Sequence, residues 1–455
     1  MNGSKTESLF RYLKWLYPNL KVKRWFSLAI AGIFIFAAGF FVMTYGLAVG
    51  YAEQQIRTIV YRFTGGVQSA ALLIGLIFCA AGLLLIIIGF KKMLNSITGC
   101  ILPANEESIV ERMYNRNHLQ RGPKIVVVGG GTGLSGLLRG LKHYTHNITA
   151  IVTVTDDGGS SGRLRTELGV QPPGDSRNCL VALADTEEVM ESVFSYRFAC
   201  GTLEGHSLGN LLLAGISNIS GDFQKGIEQL GKIFAISGKV YPSTLQQVVL
   251  TADLDSGAKA YGETAVRDTE GVILRVYLEP EDCRPLPEAV QAIEEADLIV
   301  LGPGSLYTSV LPNLLVSGLR DKIRESDAPC VYICNIMTEK GETDNFRVSD
   351  HLRAIQNHCG QGFVDAVLTA EGHIEDVVLK RYEAEGSAPV FGDQQETEKL
   401  GVRYYEAAII QADGVVRHDP DRLAKELVRL LFQWKPMSGF LARVDSFLLN
   451  RKLSR

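Results

Sequence analysis

Between Phe26 and Tyr51, and again between Gly65 and Phe90, the chain carries no Asp, Glu, Lys or Arg. A helix needs about 20 predominantly apolar residues to cross the hydrocarbon core of a bilayer, and both runs exceed that length. Buried core helices rarely run so far without a charge. A cleaved signal peptide would be shorter, nearer the amino terminus and not followed by a second run. Two transmembrane helices are therefore expected, at 26–51 and 65–90. Two are too few to enclose a transport pathway, whereas the residues beyond them suffice for a full globular fold.

The flanks set an orientation. Lys5, Arg11, Lys14, Lys21, Lys23 and Arg24 precede the first run, and Lys91, Lys92, Arg112 and Arg116 follow the second. The 52–64 loop holds only Arg57 and Arg62, with Glu53. The positive-inside bias places both chain ends in the cytoplasm and the loop outside, making a hairpin anchor behind a basic segment, 1–25. Gly32, Gly39, Gly75 and Gly82 would let the two backbones approach closely.

A net charge of −4 gives no basic field for nucleic acid. The eight cysteines form no CxxC pair, as expected of reduced thiols in a reducing compartment. A mixed-charge linker, 91–122, with a helical stretch over 106–113, leads to a domain at 123–435. A basic amphipathic tail, 436–455, follows; its periodicity suits packing on the domain and lying on a membrane equally.

Within the domain, apolar strands (124–128, 148–155, 296–301, 330–337 and 363–369) alternate with helical patterns, and 241–277 reads as a small antiparallel excursion. This predicts an α/β fold: a Rossmann-like parallel sheet with helices on both faces.

Polar, Gly-rich segments follow several strands. Gly129, Gly130, Gly131, Thr132 and Gly133 open a helix, with GxGxxG in the register Gly131, Gly133, Gly136. Glycines let a phosphate approach the backbone, and a helix N-terminus presents free N–H groups to it. About 25 residues later, where a ribose-binding acid would fall, come Asp156 and Asp157, able to bond a sugar hydroxyl or hold Mg²⁺. In PPGDSRN, Asp175 suits a helix cap, Arg177 a pyrophosphate and Asn178 a base or sugar amide. His206 and Asn210 stand in GHSLGN, where His206 is read as a hydrogen-bonding residue more than a general base. Gly304 and Ser305 make a second helix-terminus anion site, with Tyr307 placed to stack on a ring. Lys340 and Thr343 lie in TEKGETD after another strand. Loops that all follow strand ends imply one crevice at the carboxyl edge of the sheet.

The strings GGGTGLS, TDDGGSSGRLR, PPGDSRNCLVALAD, GHSLGNLLLA, GPGSLYTSVLPNLLV and CNIMTEKGETD resemble the YvcK branch of the CofD-like proteins, over about 124–430. The resemblance implies a cytoplasmic UDP-sugar-binding regulator of the gluconeogenesis-factor type, linked to carbon metabolism, cell-wall precursor supply and cell shape. UDP-N-acetylglucosamine is the implied ligand, with protein partners in cell-envelope regulation and a homodimer among the assemblies it allows. It places the 129–133 loop, Asp156, Asp157, Asn210 and Tyr307 along the crevice, flanked by 340–343. Lys340 stands where the family pattern leads one to expect Arg or Pro. The anchor is read as an addition to the family's compact form. The alternatives are a Mg²⁺-dependent 2-phospho-L-lactate transferase, as in the enzymatic cousins, and, less favoured, an NAD-dependent oxidoreductase.

Overall fold

The computed structural model describes residues 22–43, 58, 61–62, 68–98, 119–185, 187–411 and 414–435. The expected helix at 106–113 and the tail at 436–455 lie outside these residues. The chain divides into two compact units, 1–113 and 114–455.

In the first unit, helices α1 (Val22–Met43) and α2 (Gln68–Thr98) pack antiparallel. Their glycines recur seven residues apart, so each pair shares one helix face, which the sequence pattern had not fixed. A Cβ on Gly32 would lie 2.8 Å from the Gly82 carbonyl oxygen, and one on Gly39 would lie 2.6 Å from the Cys79 nitrogen. Only glycine permits that approach. Ile33, Phe34, Leu73, Leu76, Leu84 and Ile87 are exposed on the outside of the pair. One described segment, Leu72–Lys92, is long and apolar enough to cross a membrane. The apolar part of α1, Ser27–Met43, falls short of that length, because 44–51, the rest of the expected first run, lie outside the described residues. Where two spans were expected, the structure supports one.

The second unit is built on a seven-stranded sheet, ordered β10-β9-β8-β7-β1-β2-β3 and parallel throughout. The strands are β1 (Ile125–Gly129), β2 (Ile148–Val152), β3 (Lys239–Pro242), β7 (Leu298–Leu301), β8 (Cys330–Ile333), β9 (Ala366–Ala370) and β10 (Arg403–Ala407). Between β3 and β7 stands the expected antiparallel excursion, β4 (Val249–Leu254), β5 (Lys259–Tyr261) and β6 (Ile273–Glu279), in the order β5-β4-β6. A two-stranded ribbon, β11 (Ile410–Gln411) with β12 (Arg417–His418), was not anticipated.

Alternate side chains of β1 enter opposite cores: Ile125 and Val127 on one face, Val126 and Val128 on the other. Burial on both faces is why these strands read as unbroken apolar runs. The chain winds outward from β1 through β2 to β3, then returns to β7 and winds the other way to β10. That reversal makes the carboxyl ends of β1 and β7 the switch point, the place where open α/β sheets form their ligand crevice.

Candidate functional site

Three helices begin at this crevice: α3 (Gly131–Leu141), α4 (Gly159–Leu168) and α5 (Gly174–Leu183). Their N-cap residues, Gly130, Gly158 and Pro173, supply no side-chain hydrogen bond to the first turn. The Gly131 N–H faces the Asp175 carboxylate and the Gly174 N–H donates to Ser161 Oγ, while the positive ends of the three helix dipoles gather there.

The glycine loops meet across the β1/β7 boundary. Gly131 has a positive φ of 69°, which an L side chain adopts only with strain. A Cβ on Gly133 would fall 2.7 Å from the Pro303 carbonyl oxygen, and one on Gly304 would fall 3.1 Å from that of Gly130. Asn313, fully buried, ties the floor by donating from Nδ2 to the Gly129 carbonyl oxygen (3.1 Å). Gly136 departs from the dinucleotide fingerprint, whose third glycine serves close packing: a Cβ there would meet nothing within 4 Å. Gly140 takes that role, lying against the Pro420 carbonyl at the start of the C-terminal helix Pro420–Trp434.

DDGGSSG is only partly a loop, since α4 starts at Gly159. Asp156 Oδ1 accepts the Gly158 N–H (2.9 Å), closing an Asx turn at the crevice. Asp157 Oδ1 instead accepts the Thr264 N–H (3.0 Å) and hydroxyl (2.6 Å), at the start of helix Glu263–Asp268. The two adjacent aspartates thus do different work. Among the described residues, no three His, Cys, Asp or Glu side chains are grouped to hold a metal ion.

Asp175 does not cap α5, the role its position suggested. A Cβ on Gly130 would lie 2.5 Å from its Oδ2, so this carboxylate faces the glycine loop. Burial and the neighbouring Asp156 push its pKa up to about 6, although the Gly131 N–H and Arg177 favour the charged form. Glu263 is pushed to about 9, chiefly by burial and then by Asp156, Asp175, Glu342 and Asp157; Thr155 Oγ1 lies 3.4 Å from its Oε2. Glu342 rises to about 8 through burial and the charge of Glu339, while accepting the Tyr307 N–H (3.3 Å) and the Thr308 hydroxyl (3.0 Å). These acids are the part of the site that sequence reasoning missed. Glu339 and Glu342 sat in a quoted motif without a role, and Glu263 had no signal, because its helix is folded back from the antiparallel excursion.

A polar network joins three of the segments. Asn210 Nδ2 donates to Ser160 Oγ (3.2 Å), and Ser160 Oγ hydrogen-bonds His206 Nδ1 (3.1 Å). Ser161 Oγ accepts the Gly174 N–H (3.2 Å). Ser207 caps helix Leu208–Ser220 and receives Arg177 (2.8 Å), whose other arm donates to Asn178 Oδ1 (2.6 Å). His206 is 4 % exposed, and lost solvation followed by repulsion from Arg163 lowers its pKa, so it stays neutral near pH 7. Asn210 Oδ1 is buried without a partner.

Other expected residues sit differently. The Tyr307 ring is 4 % exposed and packs edge-on to Phe346 and His358, so it lies in the core rather than stacking in the crevice. Thr343, fully buried, holds its own loop by accepting the Glu339 N–H (2.9 Å). Lys340 is exposed, with its stem against Gly386. Thr132 is exposed on the first turn of α3, and Ser305 bonds Glu339.

Comparison with known proteins agrees with this architecture. A family model described as 2-phospho-L-lactate transferase CofD matches residues 125–410. A putative gluconeogenesis factor from Nostoc is 44% identical over 425 residues, covering 92% of each chain. The gluconeogenesis factor of Bacillus subtilis is 48% identical, covering 68% of this chain and 98% of its own. A crystal structure of a UPF0052 family member from Bacillus halodurans superposes with a TM-score of 0.66 at 48% identity, covering 68% of this chain and 99% of that one. The Nostoc alignment is too long to exclude the amino-terminal unit, so that unit is no peculiarity of this chain, while the Bacillus subtilis relative is matched over 98% of its length by 68% of this chain, as expected of a compact family form to which the unit is an addition. The chain belongs to the CofD family and groups within it with the gluconeogenesis factors.

Proposed function

We propose that the chain is a UDP-sugar-binding regulator, with UDP-N-acetylglucosamine its ligand, held at a membrane by its amino-terminal hairpin. The observation that carries this reading is the convergence of three helix N-termini, none capped by its own N-cap side chain, and two glycine loops on one switch-point crevice. A diphosphate fits the backbone N–H groups. The hydroxyl-rich sugar suits the surrounding carboxylates and the Ser160–His206–Asn210 network.

The proposed anchor adds a second span to the one the described residues provide; the glycine-matched, outwardly apolar helix pair suits such a hairpin, and the basic flanks favour both termini in the cytoplasm. Such an anchor would hold a sensor of cell-wall precursor beside the machinery that consumes it. Any Mg²⁺ would arrive with the phosphates and meet Asp156.

Thermal unfolding of the full chain in detergent tests the ligand. At a concentration about 100 times Kd, a ligand that binds only the folded state adds about 2.7 kcal/mol. No upward shift with millimolar UDP-N-acetylglucosamine would remove the reading. Extraction by alkaline carbonate would remove the membrane anchor.

A second reading, phospholactyl transfer, is favoured by the raised carboxyls of Asp175, Glu263 and Glu342 in one crevice, a pattern found at sites of proton transfer. Product from a deazaflavin acceptor and an activated phospholactate would establish it.

A further inference from the structure

We propose that the crevice selects a sugar-capped diphosphate over one with a free terminal phosphate, and that Asp175 is the side chain that discriminates. The inference rests on the UDP-sugar reading above and names what that site rejects. A phosphate esterified on both sides carries a single negative charge, whereas a free terminal phosphate carries about −1.5 to −2 near pH 7. Sites built to hold free terminal phosphates surround them with lysine, arginine or metal.

This crevice is built the other way. Asp175 faces the Gly130–Gly131 turn where a phosphate would dock. Asp156, Glu263 and Glu342 stand around it from the β2 loop, the 263–268 helix and the 339–343 loop. Three of the arginines around it are already bonded to protein. Arg165 donates to the Thr155 and Val248 carbonyl oxygens, Arg177 to Ser207 and Asn178, and Arg267 to Asp268. Phosphates would then be held by neutral N–H dipoles, which tolerate one charge per phosphate beside a carboxylate but penalise a second. A polar acceptor is also left open in the same network: Asn210, 2 % exposed, has its amide nitrogen on Ser160 and its Oδ1 unpartnered. It suits a hydroxyl or N–H donor of a capped ligand, not a further anion.

The test is calorimetric titration of the full chain in detergent, with EDTA, at pH 8, using UDP-N-acetylglucosamine, UDP and UTP. The expected order is UDP-N-acetylglucosamine tightest, UDP at least tenfold weaker and UTP weaker still. Asp175→Asn should tighten UDP about tenfold while moving UDP-N-acetylglucosamine less than threefold; Asp156→Asn, which removes the neighbouring charge and can keep the Gly158 N–H bond, should shift the ratio the same way and serves if Asp175→Asn misfolds. Equal affinity of the wild type for UDP and the UDP-sugar would overturn the selectivity and leave the parent reading standing. So would an unchanged ratio in both variants. Failure of the wild type to bind the UDP-sugar at all would overturn the parent reading and this inference with it.

Discussion

Gly133 and Gly136 lie one turn apart on α3, and alanine at the two positions should have opposite effects. Gly→Ala in a helix gains about 0.8–1.0 kcal/mol from propensity alone. At Gly136 nothing lies within 4 Å of the new methyl, so Gly136→Ala should keep that gain. At Gly133 the methyl would stand 2.7 Å from the Pro303 oxygen and 3.0 Å from its carbonyl carbon. Both are backbone atoms, and the loop that carries them is pinned to β7, so relief requires the two glycine loops to part. Overpacking of this kind costs about 1–3 kcal/mol. Because both positions gain the propensity term, the two variants should differ by the overpacking cost, about 1–3 kcal/mol, or about 2–6 °C in melting temperature at roughly 2 °C per kcal/mol for a domain of this size. Thermal unfolding of both variants in detergent, followed by intrinsic fluorescence, measures the difference. Parting the loops should also weaken UDP-N-acetylglucosamine binding in Gly133→Ala and leave it intact in Gly136→Ala. If Gly133→Ala proves as stable as Gly136→Ala, the loops do not pack as described and the switch-point site loses its geometric basis.

Other expectations follow from the same contacts. Glu263 holds its proton to about pH 9 when folded but releases it near 4.3 when unfolded, so the folded state binds more protons in between; stability should fall as pH rises from 5 to 9. Glu263→Gln should flatten that slope in urea titrations at pH 5.5, 7 and 8.5, leaving the smaller contribution of Glu342, which has the same sign. Ser207→Ala removes the cap of helix Leu208–Ser220 and one Arg177 partner, at about 1–2 kcal/mol in denaturant unfolding. Gly39→Ile should force α1 from α2, read as a longer distance between spin labels at Ile33 and Leu84, both exposed positions.

Much of the frame was legible because parallel strands buried on both faces announce themselves as apolar runs, as IVVV and LIVL do. The crevice was legible because loops after such strands must gather at one sheet edge. Side-chain direction was not. Asp175 looked like a cap since its position in the first turn permits one, yet the turn aims it at Gly130. Tyr307 looked exposed because it follows GPGS, but a π-helical turn at Leu306–Val310 rolls it inward. Glu263 reaches the site only through a tertiary fold-back that no local pattern encodes. The reach of the first apolar run past Met43 rests on residues beyond those described.

Placing β1 at the centre of the sheet has a consequence for synthesis. The first strand of the domain to leave the ribosome can recruit β2 and β3 on one side as they follow. Its other edge must wait for β7, about 170 residues later, or about 10–35 s at bacterial elongation rates. For that interval an apolar strand stands half-paired, the arrangement that invites pairing with another chain. Because the glycine loop of β1 meets the loop after β7, that part of the crevice can form only once the edge is covered. A ligand held by those two loops would therefore bind only chains whose β1 edge is already covered.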